Sequence, residues 1–298
     1  MRFDQFRNVR VMARHYENFP ILILRHVFGL SQEDLVLRNG SRIDLRRCKS
    51  FQFVALARLL ESGWKVRGVE QDRLLLYNDS RSVFVICRYT TGGDIHNLCE
   101  IFVDEFYGSD FKDKVVIDVG MSNGDSALYF AHSGAKLTIG LEPYPLSFAL
   151  ACENVSANKM EDRIMTLNSA LSYSSNSVDL FVSEDAPNVS SMNPPREISG
   201  NYQFTGKMSV ESLTLEDLMK RCNLEKIDLL KMDCEGCEYE VISKMSEDTL
   251  KCVGEIVLEF HDGPQQLPAI LNKAGYKVLF DKAKVGYLHA RRVPMIPC

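Results

Sequence analysis

The sequence has 298 residues, of which 45% are hydrophobic and 25% are charged. This composition is ordinary for a globular protein and excludes collagen-like, coiled-coil and wholly disordered chains. The 35 basic and 40 acidic residues give a formal net charge of −5. Because nucleic-acid-binding folds of the basic type carry the opposite charge, we expect no nucleic-acid partner.

The beginning of the chain and its cysteines indicate the compartment. The first residues lack the charged and then apolar pattern of a secretory signal. No apolar run reaches the roughly 18 to 20 residues that a membrane-spanning helix needs. The nine cysteines are scattered without the spacing of a disulfide framework, which is typical of reduced thiols in a cytosolic protein. We therefore predict a cytoplasmic protein with no membrane span.

Residues 1–100 predict a small accessory region that mixes helices and strands. Apolar residues at helical spacing predict helices over 7–28, 51–61 and 95–106. Two hairpins are predicted over 35–45 and 73–86. Asn39-Gly40 predicts a type I′ turn in the first hairpin, because both residues accept positive φ.

From residue 114 onward, apolar β-branched runs alternate with helical segments over the remaining chain. Runs of this kind are typical of strands that are buried on both faces of a parallel sheet. We predict strands over 115–117, 137–139, 164–167, 227–230 and 256–258, helices over 126–133 and 147–158, and an antiparallel edge pair over 276–280 and 286–290. The predicted fold class is therefore α/β and doubly wound, and the predicted main domain covers residues 101–298. Residues 183–209, rich in Ser, Asn and Pro, predict a long loop.

A glycine turn follows the first predicted strand of this domain. Asp118 ends the strand, Gly120 and Gly124 bend the chain, and Asp125 opens the next helix. A pyrophosphate-binding turn has the spacing Gly-x-Gly-x-x-Gly, but here Ser122 and Asp125 stand at or next to the second and third positions. An anionic side chain would repel a pyrophosphate. The turn therefore favours a cationic or zwitterionic ligand, although glycines required only for packing would give the same pattern.

A second acidic residue, Glu142, ends the next predicted strand. A carboxylate at this point can accept hydrogen bonds from both hydroxyls of a ribose, and Pro143 ends the strand behind it. Together with the glycine turn, Glu142 indicates a nucleoside that carries something other than a pyrophosphate.

Four segments resemble the FkbM-type methyltransferases, which are class I S-adenosylmethionine-dependent enzymes. The similarity covers about residues 102–278, and its most specific element is Asp-x-Glu-Gly-x-Glu at 233–238. The sequence departs from the usual residues of this family at two places, which are the cysteines at 234 and 237 and the Met-Ser pair at 121–122. The four segments are Asp118 through Asp125, Leu141-Glu142-Pro143, Asn168-Ser169-Ala170 and Asp228 through Glu238.

This resemblance implies a class I methyltransferase fold of the Rossmann-like kind. The sheet is then seven-stranded and mostly parallel, with an antiparallel edge. The implied cofactor is S-adenosyl-L-methionine. The turn from Gly120 to Gly124, with Asn123 and the following Asp125, would approach its methionine part, and Asp118 would orient its amino group directly or through water. Glu142 would hold the ribose. Ser169 and Ala170 would lie beside the adenine.

Methyl transfer needs an acceptor aligned with the methyl group and a group that removes the acceptor's proton. The resemblance implies that Asp233 faces the place where the methyl group meets its acceptor. The candidate bases are Asp233, Glu235, Glu238 and His261, of which Asp233, His261 and Glu235 are our catalytic assignment. Glu235 and Glu238 can instead stabilise the N-terminus of the next helix, and His261 can be a surface or capping residue.

Cys234 and Cys237 have the spacing of a zinc or redox pair. No second pair or histidine cluster lies nearby in the sequence. We therefore predict structural thiols and no metal.

The predicted function is O-methylation of a hydroxyl on a small-molecule or glycan acceptor. N-methylation is the nearest alternative. Another nucleoside-using enzyme, such as an aminopropyl transferase or a nicotinamide-dependent oxidoreductase, stays open, and so does a non-catalytic binding protein that retains the fold. The oligomeric state is not predicted.

Overall fold

The computed structural model describes residues 3–21, 34–44, 50–90, 93–183, 190–192 and 204–293. The chain divides into two compact units, residues 1–108 and 109–298. The first unit continues past residue 100 because Asp104 and Glu105 are ion-paired within it. Arg58 donates to Asp104, and Arg81 donates to Glu105 over 2.7 Å.

The described residues of the first unit form three helices and five strands. Its largest sheet is the antiparallel meander β3-β4-β5, and β1 pairs with β2 in a separate hairpin. The elements are α1 (Phe3–His15), β1 (Asp34–Val36), β2 (Arg42–Asp44), α2 (Ser50–Glu61), β3 (Trp64–Glu70), β4 (Arg73–Asn78), β5 (Val83–Arg88) and α3 (Asp94–Phe102).

Both predicted hairpins of this unit form, but the turn predicted for the first is wrong. The backbone N–H of Gly40 donates to the carbonyl of Leu37 over 2.9 Å. Among the turn residues only Gly40 has positive φ, at 84°, whereas a type I′ turn requires positive φ at both central positions. Strand β3 was not predicted. The predicted helix over 7–28 is interrupted, because α1 ends at His15 and residues 19–21 are helical again. Residues 22–28 of that prediction lie outside the described residues.

The second unit is an α/β fold around a seven-stranded sheet. The strand order is β14-β15-β13-β12-β6-β7-β8, and β15 runs antiparallel to both of its neighbours. The elements are β6 (Val115–Val119), α4 (Asp125–His132), β7 (Leu137–Leu141), α5 (Pro145–Ala157), β8 (Ile164–Leu167), β9 (Ala170–Leu171), β10 (Asn176–Val182), β11 (Gly206–Leu213), α6 (Leu215–Arg221), β12 (Ile227–Met232), α7 (Cys237–Lys244), α8 (Glu247–Lys251), β13 (Val253–Phe260), α9 (Leu267–Lys273), β14 (Tyr276–Phe280) and β15 (Gly286–Arg292).

The predicted sheet is confirmed in its strands, its parallel core and its antiparallel edge. Adjacent strands are buried side by side. Ile117, Leu230 and Ile256 are each fully buried, and Leu230 lies opposite both of the other two in register. Burying such side chains against both helical layers stabilises the fold by about 1.5 to 3 kcal/mol each.

The long loop predicted over 183–209 is partly wrong. Strand β11 begins at Gly206 and pairs with β10 along its whole length, and β9 joins β11 in a second, three-stranded sheet. In β11 the buried Val210 and Ser212 alternate with the exposed Ser209 and Glu211, as in a sheet with one exposed face. Residues 184–189 and 193–203 of the prediction lie outside the described residues.

No helix among the described residues is long and apolar enough to cross a membrane.

Candidate active site

Five parallel strands, β6, β7, β8, β12 and β13, end at the same edge of the sheet. Strand β6 lies in the middle, with β7 and β8 on one side and β12 and β13 on the other. The chain therefore reverses its direction of winding beside β6, and this is where doubly wound sheets bind ligands. Every site residue predicted from the sequence lies within, or just after the end of, one of these strands or in β9, which follows β8.

The glycine turn after β6 is shaped by contacts within the protein. Gly120 has φ of 76°, and a Cβ atom there would lie 1.9 Å from the carbonyl oxygen of Asp233. Gly124 has φ of 84°, and a Cβ atom there would lie 3.2 Å from Ala151. Close packing thus requires both glycines. Close approach of the backbone to a ligand is therefore not needed to explain these two glycines.

A buried ion pair lies beneath this turn. The carboxylate of Asp118 is fully buried and lies 2.8 Å from the ammonium of Lys231 in β12. The hydroxyl of Ser126 donates to its other oxygen over 2.6 Å. Lys231 also donates to the carbonyl oxygens of Gly120 over 2.8 Å and Val119 over 3.3 Å. Lys231 therefore ties the turn to the neighbouring strand.

The charge of this lysine is maintained despite its burial. Burial alone lowers the pKa of Lys231, but the nearby carboxylates of Asp118, Asp233 and Asp125 outweigh that effect and raise it. Asp118 is fully buried beside Lys231, and its role toward a cofactor's amino group stays a prediction. Lys231 and Ser126 were missed by the sequence analysis because neither partner is close to Asp118 in a recognisable pattern.

Asn123 and Asp125 are also engaged inside the protein. Asn123 is fully buried, and its carbonyl oxygen accepts a hydrogen bond from the side chain of Asn154 in α5 over 2.9 Å. The carboxylate of Asp125, in the first turn of α4, accepts from the backbone N–H of Ser126 over 2.7 Å. These contacts fix the turn against the two helices that follow it.

Glu142 joins the end of β7 to the glycine turn. Its side chain accepts from the backbone N–H of Ser122 over 3.0 Å and from that of Tyr144 over 2.8 Å. The residue is 7% exposed. These two hydrogen bonds hold the carboxylate in place at the carboxyl end of β7.

Ser169 and Ala170 lie after β8, where Ala170 begins β9. Both are buried, and the Ser169 hydroxyl has no hydrogen-bond partner among the described residues. An unpaired buried hydroxyl costs free energy unless a partner is supplied. Glu142 and Ser169 therefore fit a nucleoside cofactor at this edge of the sheet.

The ends of β12 and β13 carry a second cluster, formed by Asp233, Glu235, Glu259 and His261. The Nε2 atom of His261 lies 3.3 Å from Glu235 and 3.8 Å from Glu259. One ligand atom from each of Asp233, Glu259 and His261 lies within 4.8 Å of the other two. The structure thus brings together the three residues of our catalytic assignment and adds Glu259, which the sequence analysis left without a role.

The pKa values in this cluster are shifted toward one another. Burial, followed by the charges of Asp233 and Glu238, raises the pKa of Glu235 well above its usual value. Burial lowers the pKa of His261, and the charge of Asp233 opposes that effect. These opposite shifts bring the proton affinities of the carboxyl group and the imidazole closer together.

Glu238 has a structural position and is not part of this pair. Its two carboxylate oxygens accept from the backbone N–H groups of Cys234 and Gly236, each over 2.9 Å. It therefore caps the start of α7. Burial raises its pKa to about 7, against the lowering effect of these hydrogen bonds.

The prediction of two structural thiols at 234 and 237 is wrong. The structure joins Cys234 and Cys237 in a disulfide, with their Cα atoms 5.5 Å apart. The tight turn at the start of α7 brings the two residues within the range that a disulfide spans. The other described cysteines, Cys87, Cys99, Cys152, Cys222 and Cys252, are free thiols.

Two further contacts hold the loops around the cluster. The hydroxyl of Ser191 donates to the carbonyl oxygen of Glu235, which connects the segment between β10 and β11 to the site. The hydroxyl of Tyr239 donates to the carbonyl oxygen of Gly263 over 2.9 Å and accepts from the N–H of Asp262 over 2.8 Å. Tyr239 therefore fixes the loop that begins at His261.

Comparison with known proteins identifies the family to which the sequence is similar. The family model described as the methyltransferase FkbM domain matches residues 118–278. The chain is 25% identical to methyltransferase sdnD of Sordaria araneosa over 214 residues, which is 62% of this chain and 83% of that protein. It is 30% identical to 2-O-methyltransferase NoeI of Sinorhizobium fredii over 175 residues, or 54% of this chain and 70% of NoeI.

A third relative comes from an archaeon. The chain is 26% identical to hexuronic acid methyltransferase AglP of Haloferax volcanii over 167 residues, which is 55% of this chain and 63% of AglP. The matched residues 118–278 include Asp118, Glu142, Asp233 and His261 and make up more than half of the chain. The protein is a methyltransferase with a class I fold, and it belongs to the FkbM methyltransferase family.

Proposed function

We propose that this protein transfers the methyl group of S-adenosylmethionine to a hydroxyl of a sugar or a small metabolite. The observation that carries the proposal is that two chemically different groups of residues meet at one edge of the sheet. Glu142 and Ser169 follow β7 and β8, whereas Asp233, Glu235 and His261 follow β12 and β13. The glycine turn after β6 lies between them in the strand order.

The first group is suited to a nucleoside. Glu142 would accept hydrogen bonds from the ribose hydroxyls, since two backbone N–H groups hold its carboxylate in place at the end of β7. Ser169 would supply its unpaired hydroxyl beside the adenine. Asp118 would act indirectly, by holding Lys231 and through it the turn. When bound, the cofactor supplies a methyl group that is already activated as a sulfonium.

The second group is suited to a proton-bearing acceptor. The acceptor oxygen forms a bond to the methyl carbon, the carbon–sulfur bond breaks with its electron pair on sulfur, and the acceptor proton must be removed. His261 would accept this proton as a neutral imidazole and share it with Glu235, 3.3 Å away. Asp233 would position the acceptor through its carboxylate.

The relatives support the choice of a hydroxyl. One is named as a 2-O-methyltransferase and another as a hexuronic acid methyltransferase. We extend this acceptor class to the present chain as part of the proposal. That the acceptor is not a nucleic acid stays a prediction from the net charge of −5, and so does a cytoplasmic location.

The test is transfer of a labelled methyl group from S-adenosylmethionine to a panel of sugars, uronic acids, amines and RNA. We expect label in compounds with free hydroxyl groups and a loss of at least tenfold in Asp233→Asn. Glu240→Gln is the matched control, because Glu240 is an acidic residue of α7 whose charge pairs with Lys244 on the surface. Label confined to amines would replace O-methylation by N-methylation. Label in RNA would overturn the proposed acceptor class.

A further inference from the structure

The three residues Asp233, Glu259 and His261 form a set of metal-ligand groups at the ends of two adjacent strands. Met232 in β12 lies opposite Leu258 in β13, so the residues that follow are brought side by side. One ligand atom from each of the three side chains lies within 4.8 Å of the others. Two carboxylates and an imidazole are a common ligand set for divalent cations in proteins.

The separation of these atoms suits a single ion. Bonds of about 2.1 Å place ligand atoms about 3 Å apart at right angles and about 4.2 Å apart across the metal. The Nε2 atom of His261 lies 3.8 Å from the carboxylate of Glu259, which is within that range. All three ligand atoms lie within 4.8 Å of one another, so bringing them to these distances requires a movement of less than about 1 Å by side chains that are only partly buried.

The surroundings of Asp233 supply an independent argument. Its carboxylate has no hydrogen-bond or ion-pair partner within the part of the chain that the structure describes. The nearby ammonium of Lys231 already donates to Asp118 and to the carbonyl oxygens of Gly120 and Val119. The charge of Asp233 acts unfavourably on the nearby carboxylates of Glu235 and Glu238, and a cation on its open side would offset this repulsion.

We propose that Asp233, Glu259 and His261 bind one divalent cation and that this cation holds the acceptor hydroxyl. Three protein ligands leave positions open for water and for acceptor oxygens. A hydroxyl bound to the cation loses its proton to water more readily. Its oxygen then bonds to the methyl carbon while the carbon–sulfur bond breaks with its electron pair on sulfur. In this arrangement His261 is a ligand and not the proton acceptor, so this inference rests on the proposed function and refines it.

The experiment is titration of the chelator-treated, full-length protein with Mn²⁺, followed by the electron paramagnetic resonance signal of the free ion. We expect one bound ion per chain, and at least tenfold weaker binding in Glu259→Gln and in His261→Ala. Glu255→Gln is the matched control on the same strand, since its carboxylate pairs with Lys114 and Arg291 instead. Unchanged circular dichroism confirms that each variant is folded.

Two results would overturn the proposal: no stoichiometric binding of Mn²⁺ by the folded protein, or equal binding by Glu259→Gln. Calorimetry with S-adenosylhomocysteine and methyl transfer in the presence of EDTA separate this inference from the proposed function. Transfer at the full rate with EDTA would exclude the cation and leave the methyltransferase intact. Absence of nucleoside binding would exclude the cofactor, while the Mn²⁺ titration would still decide the metal site.

Discussion

Replacing Lys231 by Met should lower the free energy of unfolding by about 3 to 5 kcal/mol, the range for removing one partner of a buried ion pair. The lysine side chain is 2% exposed and that of Asp118 is fully buried. The substitution leaves the Asp118 charge buried with a single strong donor, the hydroxyl of Ser126. It also removes the hydrogen bond to the carbonyl oxygen of Gly120.

The assay is thermal unfolding followed by circular dichroism. For a unit of this size a loss of 1 kcal/mol lowers Tm by about 2 to 4 °C, so the expected decrease is about 6 to 20 °C. Lys207→Met is the matched control, because Lys207 also lies 2.8 Å from a carboxylate, that of Asp179, but both side chains are more than half exposed. The control should change the unfolding free energy by less than about 1 kcal/mol.

A double variant tests the reasoning further. Asp118→Leu combined with Lys231→Met removes both charges and should recover most of the lost stability, because the cost comes from leaving one charge buried alone. Equal effects of Lys231→Met and Lys207→Met would contradict the argument from burial. A double variant no more stable than Lys231→Met would show that packing and not charge is decisive.

Three further predictions follow from the site. Glu142→Ala should weaken binding of S-adenosylhomocysteine by about 1 to 3 kcal/mol in calorimetry, while Glu240→Ala should leave the affinity unchanged; equal affinities would remove Glu142 from the ribose role. Gly120→Ala should lower the free energy of unfolding by more than about 4 kcal/mol, because its Cβ would lie 1.9 Å from a backbone carbonyl oxygen. Gly275→Ala, also at positive φ but in open space, should lower it by about 1 to 2 kcal/mol. Similar urea midpoints for the two variants would refute the overlap. Burial raises the pKa of Glu238 to about 7, so the folded state favours the protonated form of this residue. The stability that the protonated form contributes is lost as the pH rises from about 4.5 to about 7. Glu238→Gln should therefore gain stability relative to the parent protein between about pH 5 and pH 8 in urea titrations, and a difference independent of pH would contradict the shifted pKa.

The parallel sheet could be predicted from the sequence because its strands are buried on both faces. Such strands read as continuous apolar runs, and β6, β7 and β8 were found from those runs alone. The predicted strands over 227–230 and 256–258 were too short. Charged residues such as Lys231 and Glu259 lie within β12 and β13 and interrupt the apolar pattern that the prediction relied on.

The second sheet and the pairing of site residues could not be predicted in the same way. Strand β11 begins in a segment rich in Ser, Asn and Pro, and its partner β10 lies more than 20 residues away. The ion pair between Asp118 and Lys231 joins residues more than 100 positions apart. Periodicity reports which face of an element is buried, but it does not report which buried charges meet.

The candidate site was predicted as residues at strand ends, and the structure shows how those residues are used. The Ser169 hydroxyl has no hydrogen-bond partner among the described residues, while Asp118 and Asn123 are engaged within the protein. The disulfide between Cys234 and Cys237 was not predicted. Spacing alone does not distinguish two free thiols from a bonded pair at the start of a helix.

Calorimetric titration of the protein with S-adenosylhomocysteine, alongside an identical titration with NAD, tests the central claim most directly. The account predicts saturable binding of the sulfur nucleoside at one site per chain and no heat of binding with the dinucleotide. Binding of NAD without binding of S-adenosylhomocysteine would contradict it.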